Sequence, residues 1–503
     1  MSFLRLVTRK YKPPPPKEIN IVEPITIEDP VRTNRTSIAD RMLDYVKDDI
    51  ELFIDQRGEG YARLKNGHVV KLRSMAFSAY LREMLYTKEQ KALNPSSLKN
   101  IAEVLEAIAI SKKKEHVLSV RVAQRDDIFY LDLGNGRIIQ IDKTGWKVLT
   151  NAPIAFRSFS HQTDHVLPSS DYKIDDLLQF FNFKDPKEHL LFIAYLVSCF
   201  VPNISHPVIV LSGDQGSAKS TFFRLVKRLI DPSRIELFAP PKNINEFIQI
   251  EDHHYCIFLD NLTDLPEWLS DALCRGCTGE GFSKRRLFSD DEDIFFSFKR
   301  CLGINGINQI IDKPDLLDRA LLFNLERIPD KERKKDHDLI NDFNALLPNA
   351  LGSLLTIFAK AIAHYDKVRI ETLPRMADFA FWGCAISLAL GYTEQDFLDR
   401  YNNNIRLQNT EALDASPIAS VIIEYMTDKT NINLTASELY ADLCQYAENM
   451  AVNTRLKTWP KDPKWLWKRI KEVRPNLIKI GINAEKTDDR CSYIKLSKDR
   501  QHR

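Results

Sequence analysis

Lys219, Ser220 and Asp260 are the residues whose types and spacing most plainly allow chemistry. Lys219 and Ser220 close the stretch LSGDQGSAKST, Leu211 to Thr221, which follows the pattern G-x-x-x-x-G-K-[ST] except that Ala218 stands at the second glycine. Such a loop (Gly213, Asp214, Gln215, Gly216, Ser217, Ala218, then Lys219, Ser220 and Thr221) turns backbone N–H groups toward phosphates at a helix N-terminus. Lys219 would meet the β/γ oxygens of ATP, and the Ser220 hydroxyl a Mg2+ ion. Alanine is expected to be tolerated at 218 because the loop would already be entering the helix there, with negative φ.

Three further residues extend the site. Forty-one positions after Lys219, CIFLDN places Asp260 at the end of a buried strand, where a carboxylate can hold Mg2+ directly or through water. RCLGING ends another apolar strand near Asn305, a group able to orient a water. Fourteen residues on, Arg319 in PDLLDRALLFNL could stabilise charge developing in a neighbouring subunit's site; the alternative is an ion pair with Asp315 or Asp318. The neighbour of Asp260 is Asn261, an amide that orients water but is a poor base. Either Asp260 serves both purposes, or Asp264 or another group helps.

The elements that must carry these residues are legible as patterns. PVIVLSG, YCIFLDN and RCLGING are short apolar runs suited to strands buried on both faces of a parallel sheet, and TFFRLVKRLI has helical spacing. Residues 1–34 form a basic, Pro-rich tail, with five Lys/Arg against one acid in its first twenty positions. Residues 35–165 read as an α+β accessory domain: helices in FSAYLREMLY and SSLKNIAEVLEAIAI, the latter capped by Ser96 or Ser97, a strand in HVLSVRVA, and a hairpin turning at Gly134-Asn135-Gly136. Residues 166–340 would hold the sheet with preceding helices, 341–405 a helical segment, and 406–503 a separate unit.

Composition narrows the class. In 503 residues, 44% hydrophobic and 28% charged, most of the chain should fold into two to four domains. A net charge of +2 argues for no polyanionic partner by itself, so nucleic acid must be argued from local patches. No uninterrupted apolar run approaches the ~20 residues of a membrane span, and no signal-peptide core opens the chain. The eight cysteines suggest no disulfide scaffold, which fits a reducing, cytoplasmic compartment; Cys274-x-x-Cys277 lacks the second pair a zinc site wants.

Strand–GDQGSAKST–helix, IFLDNLTDLP, DALCRGCTGEGFSKRRLFSDDED, GING and DLLDRALLFNL together resemble the superfamily 3-type ATPases of the AAA+ class, in the branch related to poxvirus primase-helicases. The resemblance covers residues 166–335. It implies a multidomain α/β chain with an AAA+ P-loop ATPase core, forming a ring, usually hexameric, that hydrolyses ATP between subunits and moves on single-stranded DNA. In those terms Lys219, Asp260, Asn305 as first sensor and Arg319 as finger are the catalytic set, with Ser220 and Asp260 on Mg2+. It also places a channel-lining hairpin at GFSKRRLFSDDEDIFFSF, making Lys284, Arg285 and Arg286 candidates for DNA phosphate contacts; SDDED could instead pair with them.

The C-terminus adds a basic signal of its own, fifteen Lys/Arg against six Asp/Glu over residues 455–503. In PKWLWKRIKEVRP, Lys464, Lys468 and Lys471 share one helical face, and Leu466, Ile470 and Val473 the other. With the helical stretches before it and LIKIGINAEKTDDRCSYIKL as a wing, this reads as a winged-helix-like domain whose basic helix meets duplex DNA. Trp459, Trp465 and Trp467 read as core or interface anchors. The expected activity is an ATP-dependent DNA helicase in replication of a mobile element, working beside a separate primase. The alternatives are an ATP-gated DNA-binding initiator with little unwinding and, from a third class, a small-molecule kinase.

Overall fold

The computed structural model describes residues 37–150, 153–171, 174–285, 293–296, 298–306, 314–414, 416–456, 458–487 and 493–498. The chain is a mixed α/β protein of several units. The expected basic tail and Arg286 lie outside the described residues.

The first unit packs the helices Ile38–Lys47, Met75–Glu89 and Pro95–Lys112 on a three-stranded antiparallel sheet of Ile50–Ile54, Gly60–Leu64 and Val69–Lys71, around Phe77, Leu81, Ile101 and Leu105. The third helix is capped not by Ser96 or Ser97 but by Asn94, whose Oδ1 accepts the Ser97 N–H at 2.7 Å. Pro95 takes the first turn because it has no N–H to satisfy. The expected strand in HVLSVRVA is broken: Arg121 has φ of 63° and separates Leu118–Ser119 from Val122–Arg125.

Val122–Arg125, Ile128–Gly134, Arg137–Asp142 and Gly145–Leu149 form an antiparallel meander, turning at Asn135-Gly136. This sheet shares the central core: Phe129, Leu131 and Ile141 pack with Phe192, Leu354, Phe358 and Trp382. Residues 35–165 therefore do not hold one core of their own. The expected breaks at 340 and 405 fall inside the helices Asp336–Tyr365 and Glu394–Asp414, whose buried faces run on beyond those points, through Phe343, Leu347 and Leu351 in the first and Tyr401, Asn404 and Gln408 in the second. By length and hydropathy Asp336–Tyr365 could cross a membrane, but most of it is buried in the protein.

The centre is a four-stranded sheet in the order Cys256–Leu262, Cys301–Gly306, Val208–Ser212, Ala320–Asn324, all parallel. Alternate residues enter two different cores: Ile209, Leu211, Leu321 and Phe323 on one face, Val208, Val210, Ile304 and Leu322 on the other. Both faces being covered explains why the runs are apolar without alternation. Gly303 is required where it stands, because a Cβ there would lie 2.7 Å from the Phe223 and Phe258 rings, which stack at 4.6 Å. The edge strand Ala320–Asn324 is closed by side chains. Asn404 accepts the Leu322 N–H and donates to its carbonyl, and Gln408 donates to the Ala320 carbonyl.

The C-terminal unit has its own core. Helices Pro417–Tyr425, Ala436–Asn449 and Pro463–Lys479 pack on an antiparallel sheet ordered Asn431–Thr435, Tyr493–Lys498, Ile482–Thr487. Residues 477–479, expected in the wing, continue the helix.

Candidate functional site

Sheet order assembles the site. The strand ending near Asn305 lies between the loop strand Val208–Ser212 and the strand carrying Asp260, so their C-terminal ends open side by side. The loop 213–218 leads from its strand into the helix Lys219–Ile230. Gly213 has φ of 146°, and a Cβ there would meet the Leu325 carbonyl at 2.6 Å. Gly216 has φ of 86° beneath the Arg333 guanidinium.

Ala218 does not behave as expected. Its φ is 59° and ψ 30°, in the left-handed region rather than in an entering helix. The last loop residue must reverse its amide to start the helix, and a Cβ is held there at about 1–2 kcal/mol of strain.

Lys219 Nζ donates to the carbonyls of Gly213 (2.5 Å) and Asp214 (3.1 Å), so the ammonium lies across the mouth of the loop. Burial lowers its pKa, against the pull of Asp214 and Asp260. Ser220 Oγ donates to Asp260 Oδ1 at 2.8 Å, joining the loop helix to the neighbouring strand. Two hard oxygen donors in contact, one anionic, suit Mg2+. Asn261 continues the strand end with φ of 60° at a register shift, which asparagine tolerates better than other side chains. Its backbone N–H donates to Asn305 Oδ1 at 2.9 Å. Asn305 is buried, and its Nδ2 has no partner among the described residues. A buried amide with one half satisfied and a donor left over fits a site that receives an oxygen-rich ligand. Asp264 is exposed beyond the strand, bonded to Thr263 Oγ1.

A cavity of about 530 Å³ opens from Gly216, Ala218 and Thr221 toward Phe180, Asn182, Ile328 and Arg333. Its size suits a nucleoside beyond the phosphates. Asn182 supports the loop by donating to the Ser217 carbonyl at 3.1 Å. Neither Asn182 nor Arg333 stands out in the sequence, because both lie outside the strand–loop–helix and belong to no spacing pattern.

Arg319 is folded back within its own chain, 2.5 Å from Asp315, the ion pair that is the alternative to a finger role. Arg375 also reaches Asp315 (2.6 Å), and Lys479 of the C-terminal unit pairs with Asp318 (2.5 Å). Lys284 and Arg285 lie on a two-stranded antiparallel hairpin, where Arg285 is in register with Asp293. On Pro463–Lys479, Lys464, Lys468 and Lys471 are all exposed while Leu466 and Ile470 are buried. Trp459 is in the core, but Trp465 is 45% exposed with the Lys468 ammonium 4.9 Å from its ring centre, so it is not a core anchor. Cys274 and Cys277 are buried in one helix with thiols pushed up to about 12 by burial, and no metal-ligating group of three His, Cys, Asp or Glu is found among the described residues.

Comparison with known proteins gives the region a relationship. The C-terminal region of NrS-1 aligns at 12% identity, covering 90% of this chain and 97% of that one, with a TM-score of 0.41. The active helicase Cch of SCCmec type IV aligns at 11% identity, over 90% and 93%, with a TM-score of 0.43. No curated protein matches the chain. Residues 174–405 match the family model described as actinomycete integrative conjugative element replication protein, and residues 418–502 the C-terminal domain of the same RepA family. Through its parallel-sheet unit and its C-terminal unit, the chain is therefore similar to the replication proteins of integrative conjugative elements.

Proposed function

We propose that the chain is the ATP-hydrolysing DNA helicase of a mobile element's replication machinery, with an AAA+ P-loop core and a winged-helix-like C-terminal domain. The observation that carries the reading is the Ser220–Asp260 contact at 2.8 Å beside the half-satisfied amide of Asn305. Three residues far apart in sequence meet at one end of a parallel sheet, next to a glycine-rich loop and a nucleoside-sized cavity. In this reading Lys219 and the loop N–H groups hold the phosphates. Ser220 and Asp260 hold Mg2+, which when bound supplies charge neutralisation on the transferred phosphoryl. Asn305 orients the attacking water, and Arg319 acts on a neighbour's site in a ring. The exposed cations of Pro463–Lys479 contact duplex DNA, in a helix and sheet order that supports a winged helix.

A second reading, an ATP-gated initiator with little unwinding, is favoured by Asn261, which leaves no second carboxylate beside Asp260. Hydrolysis measured with and without single-stranded DNA, beside a Lys219→Ala control, tests the proposal. Stimulation by DNA that the control abolishes supports the helicase. Hydrolysis indifferent to DNA would sink translocation, and nucleotide binding without hydrolysis would leave the initiator.

A further inference from the structure

A second cavity, of about 270 Å³, lies where the N-terminal unit meets the core, and its wall is cationic. Arg57 and Arg157 come from the first 160 residues; Phe298, Lys299 and Arg300 come from the segment that leaves the hairpin strand Asp293–Phe296. The cavity exists only because the two units are docked.

Asp252 is the carboxylate that two of these cations share. Asp252 accepts from Arg57 (2.8 Å) and twice from Arg157 (2.7 and 3.2 Å), so one acid is shared by two guanidinium groups. Glu59 is taken by Lys71 at 2.5 Å, and the buried Asp55 carboxyl is engaged by the backbone N–H groups of Arg57 and Glu59, each at 2.9 Å. Lys299 donates to a backbone carbonyl, that of Asn203, at 2.7 Å. Arg300 donates through Nε to another, that of Glu251, at 2.8 Å. The Glu251 carboxyl does not compensate, because burial raises its pKa to about 8 and keeps it largely protonated at neutral pH. Phe298 is buried between Arg57 and Arg300, whose guanidinium carbons lie 5.8 and 4.8 Å from its ring centre.

Lys299 thus has no ion-paired carboxylate among the described residues, and the buried Arg300 draws on the same Asp252 charge that Arg57 and Arg157 already share. Such charge is costly to withdraw from water unless an anion enters with it. Guanidinium forks match the oxygens of a phosphodiester, and contacts of this kind track a strand without reading its sequence. The recess adjoins the hairpin segment rather than the nucleotide cavity, with which it shares no lining residue.

We propose that this cavity receives a phosphodiester of single-stranded DNA, held by Arg57, Arg157, Lys299 and Arg300 at the foot of the hairpin. The inference rests on the reading of the chain as a DNA-translocating ATPase.

The test is anisotropy of fluorescein-labelled oligothymidylate with the full chain, over a series of salt concentrations. In the Arg57→Gln/Lys299→Gln variant the dissociation constant should rise roughly tenfold, and the slope of log K against log salt should shrink by about 0.7 for each phosphate no longer neutralised. The charge-retaining Arg57→Lys/Lys299→Arg pair should keep most of both. Unchanged affinity and slope in a glutamine variant that melts like the wild type would overturn the proposal. If the double variant does not fold, Lys299→Gln alone, which leaves the Asp252 ion pairs intact, carries the same expectation at about half the slope change. Inorganic phosphate competing as well as unlabelled oligonucleotide would overturn DNA as the occupant. A wild-type chain that hydrolyses ATP but binds no oligonucleotide would sink the translocase reading itself, a result distinct from wild-type binding that the variants leave unaltered.

Discussion

The side-chain oxygen of Asn305 accepts the backbone N–H of Asn261 at 2.9 Å, while the amide nitrogen of the same side chain is buried without a partner among the described residues. One half of this amide fixes the strand end that carries Asp260; the other is left to donate into the site. Asn305→Asp keeps an acceptor for Asn261 and deletes the donor. ATP hydrolysis should fall by about 10²-fold, while binding of a fluorescent ATP analogue changes little. Hydrolysis at the wild-type rate would remove Asn305 from the chemistry.

Ala218 at φ of 59° makes a prediction of opposite sign. Ala218→Gly relieves about 1–2 kcal/mol of left-handed strain and returns about 0.5–1 kcal/mol to the unfolded chain's entropy. The variant should melt a few degrees higher, without loss of nucleotide binding. A lower melting temperature would mean that alanine is not strained in this loop.

Buried titrating groups shape the pH dependence. Burial pushes His161 down to about 4, His165 and His206 to about 3 and His254 to about 2. Unfolding below pH 6.5 therefore takes up protons, and stability is lost as pH falls through that range. Burial raises Glu188 and Glu251 to about 8. Their native state holds protons that the unfolded state releases above its ordinary carboxyl range, so these two lower stability from about pH 4.5 up to 8. Burial lowers His189 and His253 as well, so below pH 6.5 the histidines outweigh these two glutamates, and above it they fall silent. Chemical unfolding against pH should show a maximum near 6.5. Glu251→Gln should flatten the alkaline limb by a few kcal/mol; a limb unchanged in that variant would assign it to other groups.

Arg121, Asp231 and Lys227 form a buried charge network between the meander sheet and the loop helix. Arg121 Nε donates to Asp231 at 3.0 Å, and Lys227 Nζ at 2.7 Å; the guanidinium also reaches the Asp132 and Pro232 carbonyls. Removing the one acid strands two cations in the interior, so Asp231→Ala should cost about 3–5 kcal/mol in denaturant unfolding. A loss near zero would show that water enters the site.

How much of this is legible in the residues depends on locality. Lys219, Ser220 and Asp260 are readable because their types and spacing follow the pattern of a glycine-rich loop and a strand-end carboxylate, and strand ends fix their places. The apolar runs PVIVL, CIFLD and RCLGI announce strands covered on both faces. Ala218 departs from expectation because its backbone sign is set by how the loop meets the helix, which no residue pattern encodes. Asn182, Arg333 and the Arg57–Arg300 recess are invisible, since each depends on chain segments brought together only by packing. Arg121 looks like a strand residue and is in fact a buried ion at a break in the strand.

Arg319 carries the sharpest remaining consequence. Within its own chain it is held by Asp315 at 2.5 Å, and it lies on the short stretch between Pro314–Leu317 and the edge strand. If it acts on a neighbouring subunit's nucleotide, it must exchange that carboxylate for a phosphate across an interface. Lys219→Ala and Arg319→Ala should then each abolish hydrolysis alone. Mixing them should recover activity, because mixed neighbours include pairs in which an intact loop faces an intact arginine. The recovered rate should rise and then fall with the mixing ratio. If Arg319 serves its own site or only its ion pair, no ratio restores hydrolysis, and Asp315→Asn should lower the melting temperature as much as Arg319→Ala does.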